Sequence, residues 1–255
     1  MNGNKVGGAR RRSKTSVVFK GEAKRRSRMS KFKLEQLSCP KCNHTQEVPT
    51  WDSINVTLNP QLKIELFANK INTTTCGKCE YHSMVGKDLL YHDMQMRVMI
   101  FEQYSRHNIM DQLDTLKQHC APNAFRDYRF RIVRSRRGLL EKILIFQDGF
   151  DDRVVELMKL TVISHADDLD ARDNQDVLLY YCGLNERQEL LFRIFVDEVE
   201  KNVYGVSRQE YDYAREMLGD LLEREGKEPQ RFLIVDSAYI TKLADSVDGR
   251  PGNAA

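Results

Sequence analysis

Four cysteines stand in two pairs, Cys39-Pro40-Lys41-Cys42 and Cys76-Gly77-Lys78-Cys79, and they carry the strongest chemical signal in the chain. A Cys-x-x-Cys pair brings two thiolates onto one tetrahedral ion within a tight turn, and two such pairs complete four-sulfur coordination. Thiolates suit a borderline-soft ion, so one structural zinc per chain is the expected occupant. With all four ligands supplied by protein, no coordination position is left open for catalysis. Lys41 and Lys78 offset part of the negative charge of four thiolates. Two independent redox disulfides, or iron on the same four sulfurs, are the competing readings. A thioredoxin-like pair would need a βαβ setting, which the surrounding pattern does not supply.

Other chemistry-bearing residues lead less far. His44 and His82 follow their pairs closely enough to replace a ligand, but with four cysteines at hand they are expected at the surface. Cys120 and Cys182 are isolated and read as small buried hydrophobes. His92-Asp93 resembles a base with its orienter, yet neighbours in a strand point to opposite faces, so no catalytic residue is assigned there. Glu141, Lys142, Asp148, Asp151, Asp152, Arg153, Glu156 and Lys159 could hold a divalent ion or a basic partner. Charge pairing between helices, with Asp151 and Asp152 at a helix start, accounts for the same residues. Asp167, Asp168, Asp170 and Asp173 lack the glycine and terminal glutamate of a calcium loop and read as a solvated connection. Arg126, Arg129, Arg131, Arg134, Arg136 and Arg137 interleave with Phe125, Tyr128 and Phe130, a pattern that could track phosphates. Strand alternation instead sends Tyr128 and Phe130 into the core and turns Arg129 and Arg131 toward the acidic helices. No phosphate-binding loop, dinucleotide glycine pattern, nucleophile elbow or HExxH is present.

The elements that must position these residues form a mixed α+β pattern rather than alternating βαβ units. Between the cysteine pairs lie 33 residues, longer than the roughly 15–20 of a simple ribbon, which leaves room for an inserted helix at 60–69. Asn59-Pro60 reads as an N-cap followed by proline at the first helical position. Val48–Val56, Thr73–Thr75 and 94–101 read as extended, and Tyr128–Val133 as a strand. A helix is expected near Met110–His119. Ser135 caps a helix carrying Leu139, Leu140, Ile143 and Leu144; Gln147-Asp148-Gly149 ends it, and a second helix follows through Val162. Val177–Cys182 and Glu189–Val196 form a hairpin around Gly183-Leu184-Asn185-Glu186, and Arg208–Arg224 is an amphipathic helix. Phe232–Val235 is a last strand, and a tail begins near Asp245.

The 255 residues suffice for one large domain or two small ones, and hydrophobic residues at 41% permit a real core. Boundaries are expected at 1–30 for a basic arm, 31–168 for the zinc-binding domain, 169–244 for a C-terminal α+β region and 245–255 for the tail. Residues 1–28 hold ten Lys or Arg against one acid, a net +9, whereas the remainder carries 30 basic and 36 acidic residues, a net −6. An acidic body is a poor general nucleic-acid binder, so nucleic acid is a partner only through the arm and the arginine strand. Met29-Ser30-Lys31 also reads as an alternative start, with the upstream stretch a leader or scar. No run approaches the ~18 apolar residues of a spanning helix, and the expected setting is cytoplasmic, without membrane attachment.

Residues 39–160 resemble the CpXC family. The resemblance rests on Cys39-Pro40-Lys41-Cys42, Ser53-Ile54-Asn55, the pair at 76–79, Leu90-Tyr91-His92-Asp93, Glu141-Lys142-Ile143, Asp151-Asp152-Arg153 and Glu156. It implies a zinc-ribbon-like unit with four metal-binding cysteines and no defined biochemical role. Two departures stand out. The second pair has Gly77 where the family has proline, and Asn43 and Glu80 follow the pairs where such knuckles favour glycine at positive φ. The function expected is a zinc-bearing accessory or protein-interaction module; the alternatives are nucleic-acid or ribonucleoprotein binding through the basic arm and the arginine strand, or an enzyme of unknown class.

Overall fold

The computed structural model describes residues 30–105, 124–165, 176–226 and 231–245. The readings made for the basic arm, the helix near Met110–His119, Cys120, the acidic residues 167–173 and the tail from 246 lie outside the described residues. What is described is α+β.

Strands β1 (Lys31–Ser38) and β2 (Thr45–Asn55) form an antiparallel hairpin whose turn is the first cysteine pair. Helix α1 (Pro60–Phe67) follows and crosses to a second hairpin, β3 (Thr73–Thr75) with β4 (His82–Met84), whose turn is the second pair. Pro60 sits in the first turn of α1, where its missing N–H leaves no bond unmade. Asn59 does not cap with its side chain; its Oδ1 accepts instead from Ser30 Oγ at 2.9 Å. Leu62 and Leu66 are buried, while Ile64 stays 62% exposed.

Strands β5 (Leu89–Asp93), β6 (Val98–Glu102) and β7 (Arg129–Val133) complete a five-stranded sheet in the order β1-β2-β5-β6-β7. β6 begins at Val98 rather than at 94, because Arg97 turns the chain at a φ of 52°. β2 with β5 and β6 with β7 run parallel. Parallel neighbours need a crossover, and the α1 excursion with the second cysteine hairpin supplies the first one.

Helix α2 (Arg136–Gln147) starts at Ser135, whose Oγ accepts from the Gly138 N–H at 3.1 Å. Gly149 at a φ of 79° ends the turn after it, and α3 (Asp152–His165) follows. Strands β8 (Val177–Leu184), β9 (Leu190–Val196) and β10 (Val199–Val206) make an antiparallel meander. α2 lies between this meander and the larger sheet. The long helix read at 208–224 is two: α4 (Arg208–Met217), opened by a Ser207–Glu210 capping box, and α5 (Gly219–Gly226). Leu233 pairs with Arg131 as a single parallel bridge, and α6 (Ser237–Asp245) fills the end of the C-terminal region, up to where the tail is read to begin.

One buried apolar cluster runs from Ile54, Leu66 and Tyr91 through Leu139, Ile143 and Val154 to Tyr181, Phe192 and Tyr211. A second gathers Met99, Phe101, Phe125, Phe130 and Phe232 on the other face of β6 and β7. Among the described residues, no helix is long and apolar enough to cross a membrane.

Candidate metal centre

The two hairpin tips face one another and bring together all four cysteines singled out by their spacing. Their sulfur atoms lie within 4.8 Å of one another. Cys39 Sγ stands 3.7 Å from Cys79 Sγ, and Cys42 Sγ stands 3.6 Å from Cys76 Sγ. Four sulfurs ~2.3 Å from a central ion would be ~3.8 Å apart along each tetrahedral edge, close to the 3.7 and 3.6 Å of these two pairs, so the set could hold a metal ion.

The two turns repeat one backbone pattern. Cys39 N–H donates to the His44 carbonyl and Asn43 N–H to the Cys39 carbonyl; Cys76 N–H donates to Tyr81 and Glu80 N–H to Cys76 in the same relation, all at 2.9 Å. Closing each turn requires a left-handed residue after the second cysteine, and Asn43 and Glu80 adopt φ of 56° and 58°. Backbone N–H groups of Cys79 and Lys78 reach the Cys76 sulfur and hold its thiol down to about 6. Cys39 and Cys76 are buried, while Cys42 and Cys79 are half-exposed.

Gln46 ties the hairpins together, and nothing in its neighbourhood of sequence signals this. Its amide nitrogen donates to Thr74 Oγ1 at 2.9 Å and to the Thr75 carbonyl at 3.0 Å, and its Oε1 accepts from the Gly77 N–H at 2.8 Å. Proline at 77 could not make that last bond, which gives the departure at this position a physical reason. Asn72 acts similarly beneath: it accepts from the Trp51 N–H at 2.6 Å and donates to the Trp51 carbonyl at 3.0 Å. His44 and His82 stay outside the cluster; both are exposed, and His82 Nδ1 meets Thr75 Oγ1 at 3.1 Å.

The family model described as CpXC protein matches residues 37–159. That stretch belongs to the CpXC family. No curated protein and no solved structure matches the chain. The other CpXC motif residues hold the scaffold behind the cysteines. Asn55 Nδ2 donates to His92 Nδ1 at 3.2 Å while its Oδ1 accepts from Leu58 N–H, which leaves the imidazole proton on Nε2, 3.2 Å from Tyr128 Oη. His92 is 4% exposed, and burial lowers its pKa to about 4 even though the Asp93 charge pulls the other way. Asp93 turns away to accept from Thr57 Oγ1, Gln95 N–H and Met96 N–H, so the two neighbours serve separate contacts.

The charged cluster on α2 and α3 is a buried chain of alternating ion pairs, not a surface array. Arg131 grips Asp152 with two bonds, at 2.7 and 2.8 Å. Lys142 Nζ lies 3.1 Å from Asp152 and 3.0 Å from Glu156; Lys159 Nζ lies 3.0 Å from Glu156 and 2.7 Å from Glu141. Burial works to raise the Asp152 pKa, and the Arg131 and Lys142 charges overcome it, holding the carboxyl well below its usual range. Asp148 and Asp151 stand apart from this chain: Asp148 accepts from Tyr181 Oη and Asp151 pairs with Arg153. Of the arginines in this stretch, Arg131 on β7 and Arg136 at the start of α2 are buried, the latter 3.0 Å from Glu102. Cys182 is half-buried, and its Sγ faces the Leu191 carbonyl.

Proposed function

We propose that this protein is a zinc-stabilised interaction module of the cytoplasm, in which one structural zinc on Cys39, Cys42, Cys76 and Cys79 fixes a ribbon-like pair of hairpins. The carrying observation is the convergence of four sulfurs, and only sulfurs, from two turns of identical backbone pattern. An all-thiolate tetrahedral set favours zinc and keeps no position for substrate, so its role is architectural. A reducing cytoplasm keeps such thiolates free to bind metal. His92-Asp93 adds no competing catalytic centre: one residue is buried and neutral, the other is spent on backbone turns. The α+β body carried on this scaffold then presents its surface to another protein.

Metal binding to such a site is folding free energy. Thermal unfolding in a strong chelator should therefore drop by several degrees and recover on zinc addition, with hydrogen exchange quickening first in β1–β2 and β3–β4. Cys76→Ser should behave like chelated wild type. An unfolding temperature indifferent to chelator in both proteins would sink the reading.

A further inference from the structure

A cavity of about 290 Å³ lies where β7, α2, α3, β8 and residues 234–237 converge. One of its walls is the outer edge of β8, since β9 covers only the other side of that strand. The phase of the edge is fixed by two bonds. The Asp176 carbonyl accepts from Asp197 N–H on the β9 side, and Tyr181 N–H points the opposite way, donating to Glu141 Oε1 at 2.6 Å. Backbone groups alternate along an antiparallel strand, so Val177 and Leu179 also turn their N–H and C=O outward. Among the described residues, no hydrogen bond reaches these outward groups of Leu179, a residue only 6% exposed. Buried backbone donors are rarely left without a partner, and a strand edge of this kind is a template for another strand.

The floor of the cavity specifies what such a strand carries. Glu141 and Glu156 use Oε1 for every bond described, so each keeps Oε2 as an acceptor. Lys159 donates to those two carboxylates and, as an ammonium with three N–H groups, keeps one. The buried chain balances Arg131, Lys142 and Lys159 against Glu141, Asp152 and Glu156, so an extra charge entering it would be uncompensated. A carboxamide supplies two N–H donors and one carbonyl acceptor and adds no charge. Leu160, Ile163, Leu178 and Tyr180 give apolar walls around it.

We propose that β8 accepts an extended segment of a partner protein as an added strand, with a glutamine or asparagine side chain seated on Glu141, Glu156 and Lys159. This names the kind of partner for the interaction module proposed above, on a surface separate from the cysteines. A main-chain ladder gives affinity in such recognition, and the seated side chain gives selectivity.

The test uses the full chain, metal-loaded, and an acetylated, amidated peptide of about six alternating valine and threonine residues with one central glutamine, about the length of a typical strand. Titration should show binding at least about tenfold tighter than for versions with central alanine, lysine or glutamate. Exchange of the Leu179 amide should slow at least about tenfold on binding. Methylating the peptide's ladder-forming nitrogens should abolish it, and Glu141→Gln should erase the preference for glutamine in a protein whose unfolding temperature is checked separately. A Leu179 amide already protected in the free protein would mean that this chain covers its own edge, and would overturn the proposal. So would equal binding of the alanine and glutamine peptides, or of the methylated one. None of these results alters the chelator response, so failure here and failure of the metal reading are distinguishable.

Discussion

Glu80 sits in left-handed backbone at a φ of 58°, a conformation its side chain disfavours by ~1–2 kcal/mol and glycine adopts freely. Glu80→Gly should raise the unfolding free energy of the metal-loaded protein by ~1 kcal/mol in urea titrations; a loss of stability would show that Glu80 makes a contact worth more than the strain. Asn43, in the same position of the first turn, tolerates its φ of 56° better and should gain little from the same change. At His92 the expected effect is on pH dependence. Its pKa is lowered from the ordinary 6.5 to about 4 in the fold, so the unfolded chain binds the proton more readily. The sign follows: the contribution is present above pH 6.5 and lost as pH falls toward 4. The shift corresponds to ~3 kcal/mol. Wild type should therefore lose ~3 kcal/mol more than His92→Gln between pH 7.5 and 4, a difference in which the titration of the cysteines cancels. Parallel pH profiles for the two proteins would contradict a buried neutral His92.

Among elements, the decisive arrangement is the docking of α2 and α3 through charge. Asp152 opens α3 with no exposure at all and faces both Arg131 and Lys142. Asp152→Ala leaves the buried Arg131 without its carboxylate and Lys142 with Glu156 alone, a change that costs ~3–5 kcal/mol. Chemical denaturation should report that loss, and a cost below ~1 kcal/mol would place the pairs in solvent instead. The charges were legible in the sequence, and so was pairing between helices. Their burial was not, because it depends on β8 and residues 231–236 packing over them: the Tyr181 N–H meets Glu141, and the Val235 carbonyl takes a bond from Lys142 at 2.9 Å. Strand β10 escaped for a different reason. Seven of its eight residues are exposed, so no alternation marks it, and its turn places Asp197 and Glu198 at φ of 48° and 64° without the usual glycine or asparagine. The break between α4 and α5 leaves Met217 65% exposed while Leu218 is buried, a switch of face that a continuous 3.6-residue period conceals.

At the scale of the whole molecule, two kinds of signal separate cleanly. Local signals survived: the cysteine pairs, the inserted helix after Pro60, the Ser135 cap, the Gly149 stop and the β8–β9 hairpin. Long-range ones did not, because Gln46 with Gly77, Asn72 with Trp51 and Arg136 with Glu102 join positions more than twenty residues apart and carry no motif. The CpXC segment is held together by both. Its cysteines close two hairpins, while its other motif residues fix β2 to β5 and α2 to α3. Phe232, from beyond that segment, closes the aromatic cluster at 5.2 Å from Phe130.

The most direct test of the central claim is metal content by native mass spectrometry with elemental analysis, on protein purified without added metal, wild type beside Cys76→Ser. One zinc per wild-type chain, lost or strongly weakened in the variant, is the predicted result. No metal, or iron accompanied by visible absorption, would contradict a structural zinc and return the four thiolates to redox chemistry.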